Sequence, residues 1–111
     1  MTVHHVVAFK LNPLSHMSTL IAGMFDLQTS CTKNGVPYIK SIKGGKQMST
    51  ERHHQDMHVT FIMEFESNED LQYYLWKDEA HQSFKHILNN DLGKAGVICL
   101  DFEDGLFHEA P

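Results

Sequence analysis

The sequence of 111 residues has few of the features that mark exported or membrane proteins. It contains two cysteines, Cys31 and Cys99, and neither belongs to a C-x-x-C pair, so both are expected to be reduced thiols. No apolar run approaches the roughly 18 residues that a membrane-spanning helix needs. Residues 1–10 also lack the basic start and long apolar stretch of a signal peptide. These absences predict a cytoplasmic protein that does not cross a membrane.

Basic residues are scarce as well. Nine Lys and Arg stand against fourteen Asp and Glu, which gives a formal net charge of −5 at pH 7. The basic residues are scattered, whereas a protein that follows nucleic-acid phosphates concentrates them on one surface. Nucleic acid is therefore not an expected partner. A neutral or anionic small molecule remains compatible with this composition.

Motifs that bind nucleotides or metal ions are missing. There is no G-x-G-x-x-G or P-loop sequence, and Gly44-Gly45 alone carries no nucleotide signal. Nine histidines invite a metal interpretation, but the adjacent pair His4-His5 would point to opposite faces of a strand. The histidines of His53–His58 lie in a polar stretch without an H-E-x-x-H motif. No metal site is predicted, and cofactor-free chemistry is expected.

The apolar pattern predicts an α+β fold in a single domain over residues 1–111, close to the commonest domain size. Period-two and helical spacings alternate along the chain as strand, helix, strand, strand, two helices, strand. The predicted strands are Val3–Lys10, Tyr38–Lys43, His58–Phe65 and Val97–Glu103, with a first helix over Ser15–Ser30. This order is compatible with a ferredoxin-like, four-stranded antiparallel sheet with helices on one face.

The first predicted strand is apolar on both faces. Val3, Val7 and Phe9 share one side, while Val6 and Ala8 share the other. Because helices of so small a chain cover one face of the sheet, the second face needs another cover. A second copy of the same sheet would supply it, so the sequence predicts a homodimer.

The segment Glu64–Phe84 carries the strongest functional signal. Ser67 and Asp70 fit a helix-capping pattern, which predicts a helix from about residue 68. Helical spacing then points Tyr74 inward, and His81 falls on the apolar face of a following helical run. We therefore expect Tyr74 and His81 to meet in one apolar pocket.

Three motifs in the chain resemble the stress-responsive dimeric α/β-barrel domain family, Dabb. They are His-Val-Val-Ala-Phe-Lys at His5–Lys10, Phe-Glu-Ser-x-Glu-Asp-Leu-x-x-Tyr at Phe65–Tyr74 and Asp-x-Ala-His-Gln-x-Phe at Asp78–Phe84. The resemblance spans nearly the whole chain, although the proline that the family usually has after the aspartate is Glu79 here. It implies a ferredoxin-like fold that pairs as a dimeric α+β barrel.

The resemblance also implies a function. Family members that act on polyketides close a ring by intramolecular aldol condensation, with a histidine as base and a tyrosine on the polarised carbonyl. These roles fall on His81 and Tyr74, and His5 matches a first-strand pocket histidine. The expected substrate-binding walls are Val7, Phe9, Met24, Phe25, Val59 and Phe84. Those enzymes have a further pocket histidine at the start of the third strand. Here His58 is one position out of phase with the alternation, so either a bulge rotates it inward or Val59 replaces it.

Other interpretations remain open from the sequence. A histidine on an apolar helix face is commonly a core residue bonded to a backbone carbonyl, and a tyrosine between leucines commonly serves packing. A non-catalytic stress-response or assembly protein is therefore one alternative to a cyclase or isomerase. The resemblance implies a second alternative, a cofactor-independent oxygenase of phenolic substrates, since related dimeric barrels oxidise anthrone-like phenols.

Overall fold

The computed structural model describes residues 2–108 and confirms the ferredoxin-like α+β fold. Its main sheet is antiparallel and consists of β1 (Val3–Leu11), β4 (Ile39–Lys46), β5 (Val59–Phe65) and β6 (Lys94–Glu103), in the order β4-β5-β1-β6. The helices are α1 (Met17–Ser30), α2 (Asn68–Trp76) and α3 (Glu79–Asn90). None of the helices in this described range has the length and apolarity that a membrane crossing requires.

Several boundaries differ from the expected ones. A 3₁₀ turn, Leu14–His16, precedes α1, so the helix begins at Met17 and not at Ser15. The last strand begins at Lys94, three residues before the expected start, so residues 94–96 belong to the sheet. Pairing with β1 extends the strand beyond the segment that the apolar alternation marks.

The chain also contains a small hairpin that the sequence patterns did not indicate. Strands β2 (Thr32–Lys33) and β3 (Val36–Pro37) pair across Asn34 and Gly35, which have φ angles of 53° and 77°. Two positive φ angles in a two-residue loop are typical of a type I′ turn, for which Asn-Gly is the preferred sequence. Because each strand has two residues, neither shows a period-two pattern.

The ladder between β4 and β5 is regular at Gly44-Gly45, and its register shift lies between Ile39 and Ser41. Gly44 has a structural reason, because a Cβ there would overlap the ring of Phe61 on the neighbouring strand. The glycine permits the close approach of a large aromatic side chain.

The two faces of the sheet differ in burial. On the inner face, which the helices cover, β1 buries every second residue from Val3 to Leu11, and β5 does the same from Val59 to Phe65. Val59, not His58, is the core-facing residue, as expected from the alternation. The outer face presents Val6, Ala8, Ile62, Ile98, Leu100 and Phe102. Leu100 and Phe102 remain 64% and 46% exposed on it.

Candidate active site

A cavity of about 390 Å³ lies between the inner face of the sheet and the helices. Seven of the nine residues expected to form the site line this inner cavity: His5, Val7, Phe9, Met24, Tyr74, His81 and Phe84. They come from β1, α1, α2 and α3, so the site is assembled from distant parts of the sequence.

Two capped helix starts bring Tyr74 and His81 together. The Ser67 side chain accepts a hydrogen bond from the Asp70 amide at the start of α2, as the capping pattern predicted. At the start of α3, the buried Asp78 carboxylate accepts one from the amide of His81 and another from the hydroxyl of Tyr38. These caps place Tyr74 in the last turns of one helix and His81 in the first turn of the next.

The rings of Tyr74 and His81 are stacked. Their centroids are 3.7 Å apart and their planes differ by 10°. Both side chains are almost fully buried, with exposed fractions of 1% and 8%. The expected meeting of these two residues in one apolar pocket is confirmed.

The imidazole of His81 has a defined tautomer. Its Nδ1 lies 2.7 Å from the carbonyl oxygen of Tyr74, and because a carbonyl can only accept, Nδ1 carries the proton. Burial lowers the pKa of His81 to about 4, while the bond to Tyr74 opposes this shift. The charges of Lys85 and His5 contribute to the lowering. At neutral pH the imidazole is therefore neutral, with its lone pair on Nε2.

The phenol of Tyr74 stays protonated over the physiological range. Burial raises its pKa well above the ordinary value, and the charges of Cys31 and Asp78 act in the same direction. Its hydroxyl makes no hydrogen bond to any residue from 2 to 108. The side chain is thus a hydrogen-bond donor that a ligand in the cavity can use.

His5 is held by a carboxylate that sequence reasoning missed. Its Nδ1 lies 2.5 Å from Asp101 Oδ1, and the two residues are directly opposite in the pairing of β1 with β6. His5 is 4% exposed, and its ring meets that of Tyr74 edge to face at 5.9 Å. The alternation of the last strand places Asp101 on the same side as Val97 and Cys99. Only the register between the two strands, however, connects Asp101 with His5.

Phe25 and Val59, the other two expected wall residues, lie elsewhere. Both line a second cavity of about 580 Å³ between α1 and strands β4 and β5. Phe25 is 43% exposed. His58 also lines the second cavity, and its Nδ1 accepts a hydrogen bond from the Leu11 amide. The alternation in β5 is thus unbroken, and His58 stays out of the inner cavity.

Comparison with known families agrees with this geometry. Residues 3–104 match the family described as Stress responsive A/B Barrel Domain, Dabb. The chain belongs to the Dabb family. The match includes all the strands and helices described above. No curated protein is significantly similar to this chain in sequence.

Solved structures share the fold of this Dabb chain. The Arabidopsis thaliana protein At3g17210 is 26% identical, with a TM-score of 0.78 over 95% of this chain and 97% of that one. A hydroxynitrile lyase from Passiflora edulis is 20% identical, with a TM-score of 0.73 over 96% of each chain. A dimeric ferredoxin-like protein of unknown function from Jannaschia is 17% identical, with a TM-score of 0.70 over 93% and 99%. These similarities support the ferredoxin-like architecture.

The histidines, cysteines and acids of this Dabb chain form no metal-binding cluster in the described range. Between residues 2 and 108, no group of three or more such side chains is arranged to hold an ion. Cys31 and Cys99 are both free thiols, the first buried and the second exposed. Burial raises the pKa of each thiol, which disfavours the thiolate that metal binding or nucleophilic attack requires.

Proposed function

We propose that the chain is a cofactor-free cyclase or isomerase that acts on a polyketide-like small molecule with several carbonyl groups. The observation that carries this proposal is the stacked pair of Tyr74 and His81 in the inner cavity, with the proton of His81 on Nδ1. One residue offers a lone pair and the other a hydroxyl donor, which are the two groups that enolate chemistry needs.

His81 is the proposed base. Its Nε2 takes a proton from a carbon between two carbonyl groups, and the electron pair of the broken C–H bond moves to the carbonyl oxygen. Tyr74 donates a hydrogen bond to that oxygen as it becomes negative. The enolate carbon then attacks a second carbonyl of the same molecule, and the imidazolium returns the proton to the new alkoxide.

The low pKa of His81 suits the resting state of this mechanism. At neutral pH the base is already unprotonated. When negative charge develops on the substrate beside it, that opposite charge stabilises the imidazolium and raises its pKa. This stabilisation of the imidazolium arises as the reaction proceeds, so it favours the transition state over the bound substrate.

His5 and the cavity walls have supporting roles in this proposal. The Asp101 carboxylate accepts a hydrogen bond from Nδ1 of His5 and orients the ring beside Tyr74, so a neutral His5 offers the lone pair of Nε2 to a substrate hydroxyl. Val7, Phe9 and Phe84 surround the site with apolar surface. Exclusion of water strengthens each of the hydrogen bonds to the substrate oxygens.

We also propose that two copies pair through the outer face of the sheet. That face exposes Leu100 and Phe102, and exposed apolar patches of this kind commonly mark interaction sites. The similar Jannaschia protein is dimeric, which supports the same arrangement here. Sedimentation as a monomer of 12.7 kDa would contradict the pairing.

The test is product formation from linear poly-β-keto substrates, followed by mass spectrometry. His81→Ala and Tyr74→Phe are each expected to slow turnover by about 10²–10⁴-fold, the usual contribution of a general base or its partner. Circular dichroism should show an unchanged fold. The matched control is His58→Gln, which alters the second cavity and should retain activity. Full activity in both site variants would refute the proposal.

Two parallel assays separate the proposal from other activities. Release of cyanide from an aromatic hydroxynitrile would assign the site to the chemistry of the Passiflora neighbour. Oxygen consumption with an electron-rich phenol would assign it to an oxygenase. Ring closure without either signal supports the cyclase.

A further inference from the structure

Two lysines line the inner cavity beside the proposed catalytic residues. Lys85 follows His81 by four residues in α3, so both side chains lie on the same face of that helix. Lys94 is the first residue of β6 and pairs with Leu11 of β1. Neither lysine entered the sequence-based description of the site.

An irregularity in the sheet places Lys94 at the cavity. Lys10 pairs with Gly96, so a regular ladder would put Ala95 opposite Leu11. The register shifts at this point, and Lys94 takes the position opposite the buried Leu11. The shift thus brings a cationic side chain to the helix-covered side of β6, where a regular ladder would place a methyl group.

No acidic side chain between residues 2 and 108 forms an ion pair with either lysine. By contrast, Lys33 pairs with Asp70 at 2.9 Å and Lys40 with Glu66 at 3.3 Å. The carboxylate in the cavity lining, Asp101, is already bonded to His5. In a chain with a net charge of −5, two cations at one cavity that lack an acidic partner within residues 2–108 form a local positive field.

Lys85 is oriented but keeps donors free. Its Nζ donates to the carbonyl oxygen of Leu75 at 2.6 Å and lies 5.1 Å from the centre of the Trp76 ring. An ammonium group has three donors, so two remain for a ligand. Burial lowers the pKa of Lys85, and the charge of Lys94 lowers it further. The attraction of a bound anion would offset both effects.

We infer that the ligand of the inner cavity carries a carboxylate, which binds between Lys85 and Lys94. Its apolar or poly-carbonyl body then lies against Phe84 and reaches the Tyr74–His81 pair. This inference rests on the proposed function and narrows its substrate class to a polyketide-like acid.

Binding of 1-naphthoate and 1-naphthamide tests the inference, because the two probes share a ring system and differ in charge. Titration calorimetry of the wild type is expected to show tighter binding of naphthoate. The double variant Lys85→Gln/Lys94→Gln should lose about tenfold or more in naphthoate affinity, the range of a charge-assisted hydrogen bond. Naphthamide affinity should not change.

Lys46→Gln is the matched control, since Lys46 lines the second cavity. It should leave naphthoate binding at the wild-type level. The inference is overturned if the wild type binds both probes equally, if it fails to bind millimolar naphthoate, or if the loss occurs in Lys46→Gln instead of the double variant.

His81→Ala separates this inference from the proposed function. The variant removes the base but neither lysine, so it should retain naphthoate binding while losing product formation. Retained product formation would refute only the catalytic proposal. Equal binding of the two probes by the wild type would refute only the carboxylate site.

Discussion

The two cavities on either side of α1 both contain histidine, yet the histidines are held in opposite ways. In the inner cavity, Nδ1 of His81 donates a proton to a backbone carbonyl. In the second cavity, Nδ1 of His58 accepts one from the Leu11 amide. A neutral His81 therefore has its lone pair on Nε2, whereas a neutral His58 has its proton there. The first is suited to act as a base, and the second only as a donor.

A ranking of the two cavities by volume alone would put the second cavity first, although the residues suited to this chemistry line the inner one. The second cavity, at about 580 Å³, is the larger one. Its other histidine, His54, has a buried Nδ1 with no hydrogen-bond partner among residues 2–108. The inner cavity is smaller, but both of its histidines have a fixed partner at Nδ1, Asp101 for His5 and the Tyr74 carbonyl for His81. The kind of partner distinguishes the inner histidines from His58, because His5 and His81 donate from Nδ1 to an acceptor, whereas His58 accepts from an amide there.

The largest expected effect on stability concerns the protonation of His81. Its pKa falls from 6.5 to about 4 on folding, so between these values the unfolded chain binds a proton that the folded chain does not. Its contribution is therefore fully present above pH 6.5 and is lost as the pH falls toward 4. At 1.36 kcal/mol per pKa unit the loss amounts to about 3 kcal/mol.

Urea unfolding between pH 7.5 and 4 measures this dependence. His81→Gln should flatten the curve relative to the wild type, because its side chain does not titrate. Phe84→Leu, which alters the same cavity wall without changing a charge, should lower stability by a similar amount at every pH. An unchanged slope in His81→Gln would show that His81 is not the buried neutral group described here.

The sequence was sufficient for the parts of the site that depend on local periodicity. The capping pattern at Ser67 and the spacing of Tyr74 and His81 are properties of adjacent helical segments, and the structure brings those residues together as expected. The two apolar faces of β1 likewise followed from alternation within one strand.

Features that depend on pairing between distant segments could not be predicted in this way. Asp101 lies 96 residues from His5, and only the register of β6 on β1 makes them partners. The shift that brings Lys94 to the cavity also has no local signal. Phe25 was assigned to the wrong cavity because helical spacing shows that a residue is on an apolar face, but not which side of α1 that face borders.

A smaller effect is expected from the carboxylates that belong to each cavity. Asp101→Asn removes the charge that orients His5, and should lower kcat on the order of tenfold to a hundredfold, as is typical when a group that holds a functional histidine is lost. Asp56→Asn makes the same change in the lining of the second cavity and should leave kcat unchanged. Equal losses in both variants would mean that overall charge, and not the orientation of His5, is responsible.

The smallest effect distinguishes two neighbouring glycines in the wall of the second cavity. At Gly44 a Cβ would overlap the buried ring of Phe61 and lie 2.9 Å from the carbonyl oxygen of Thr60, so Gly44→Ala should destabilise the fold by about 1–3 kcal/mol. At Gly45 a Cβ would meet nothing within 4 Å, so Gly45→Ala should change stability by less than about 0.5 kcal/mol. Urea unfolding at pH 7.5 compares the two variants. Equal stability would show that β4 and Phe61 can separate to admit a methyl group, and that the wall of the second cavity is deformable.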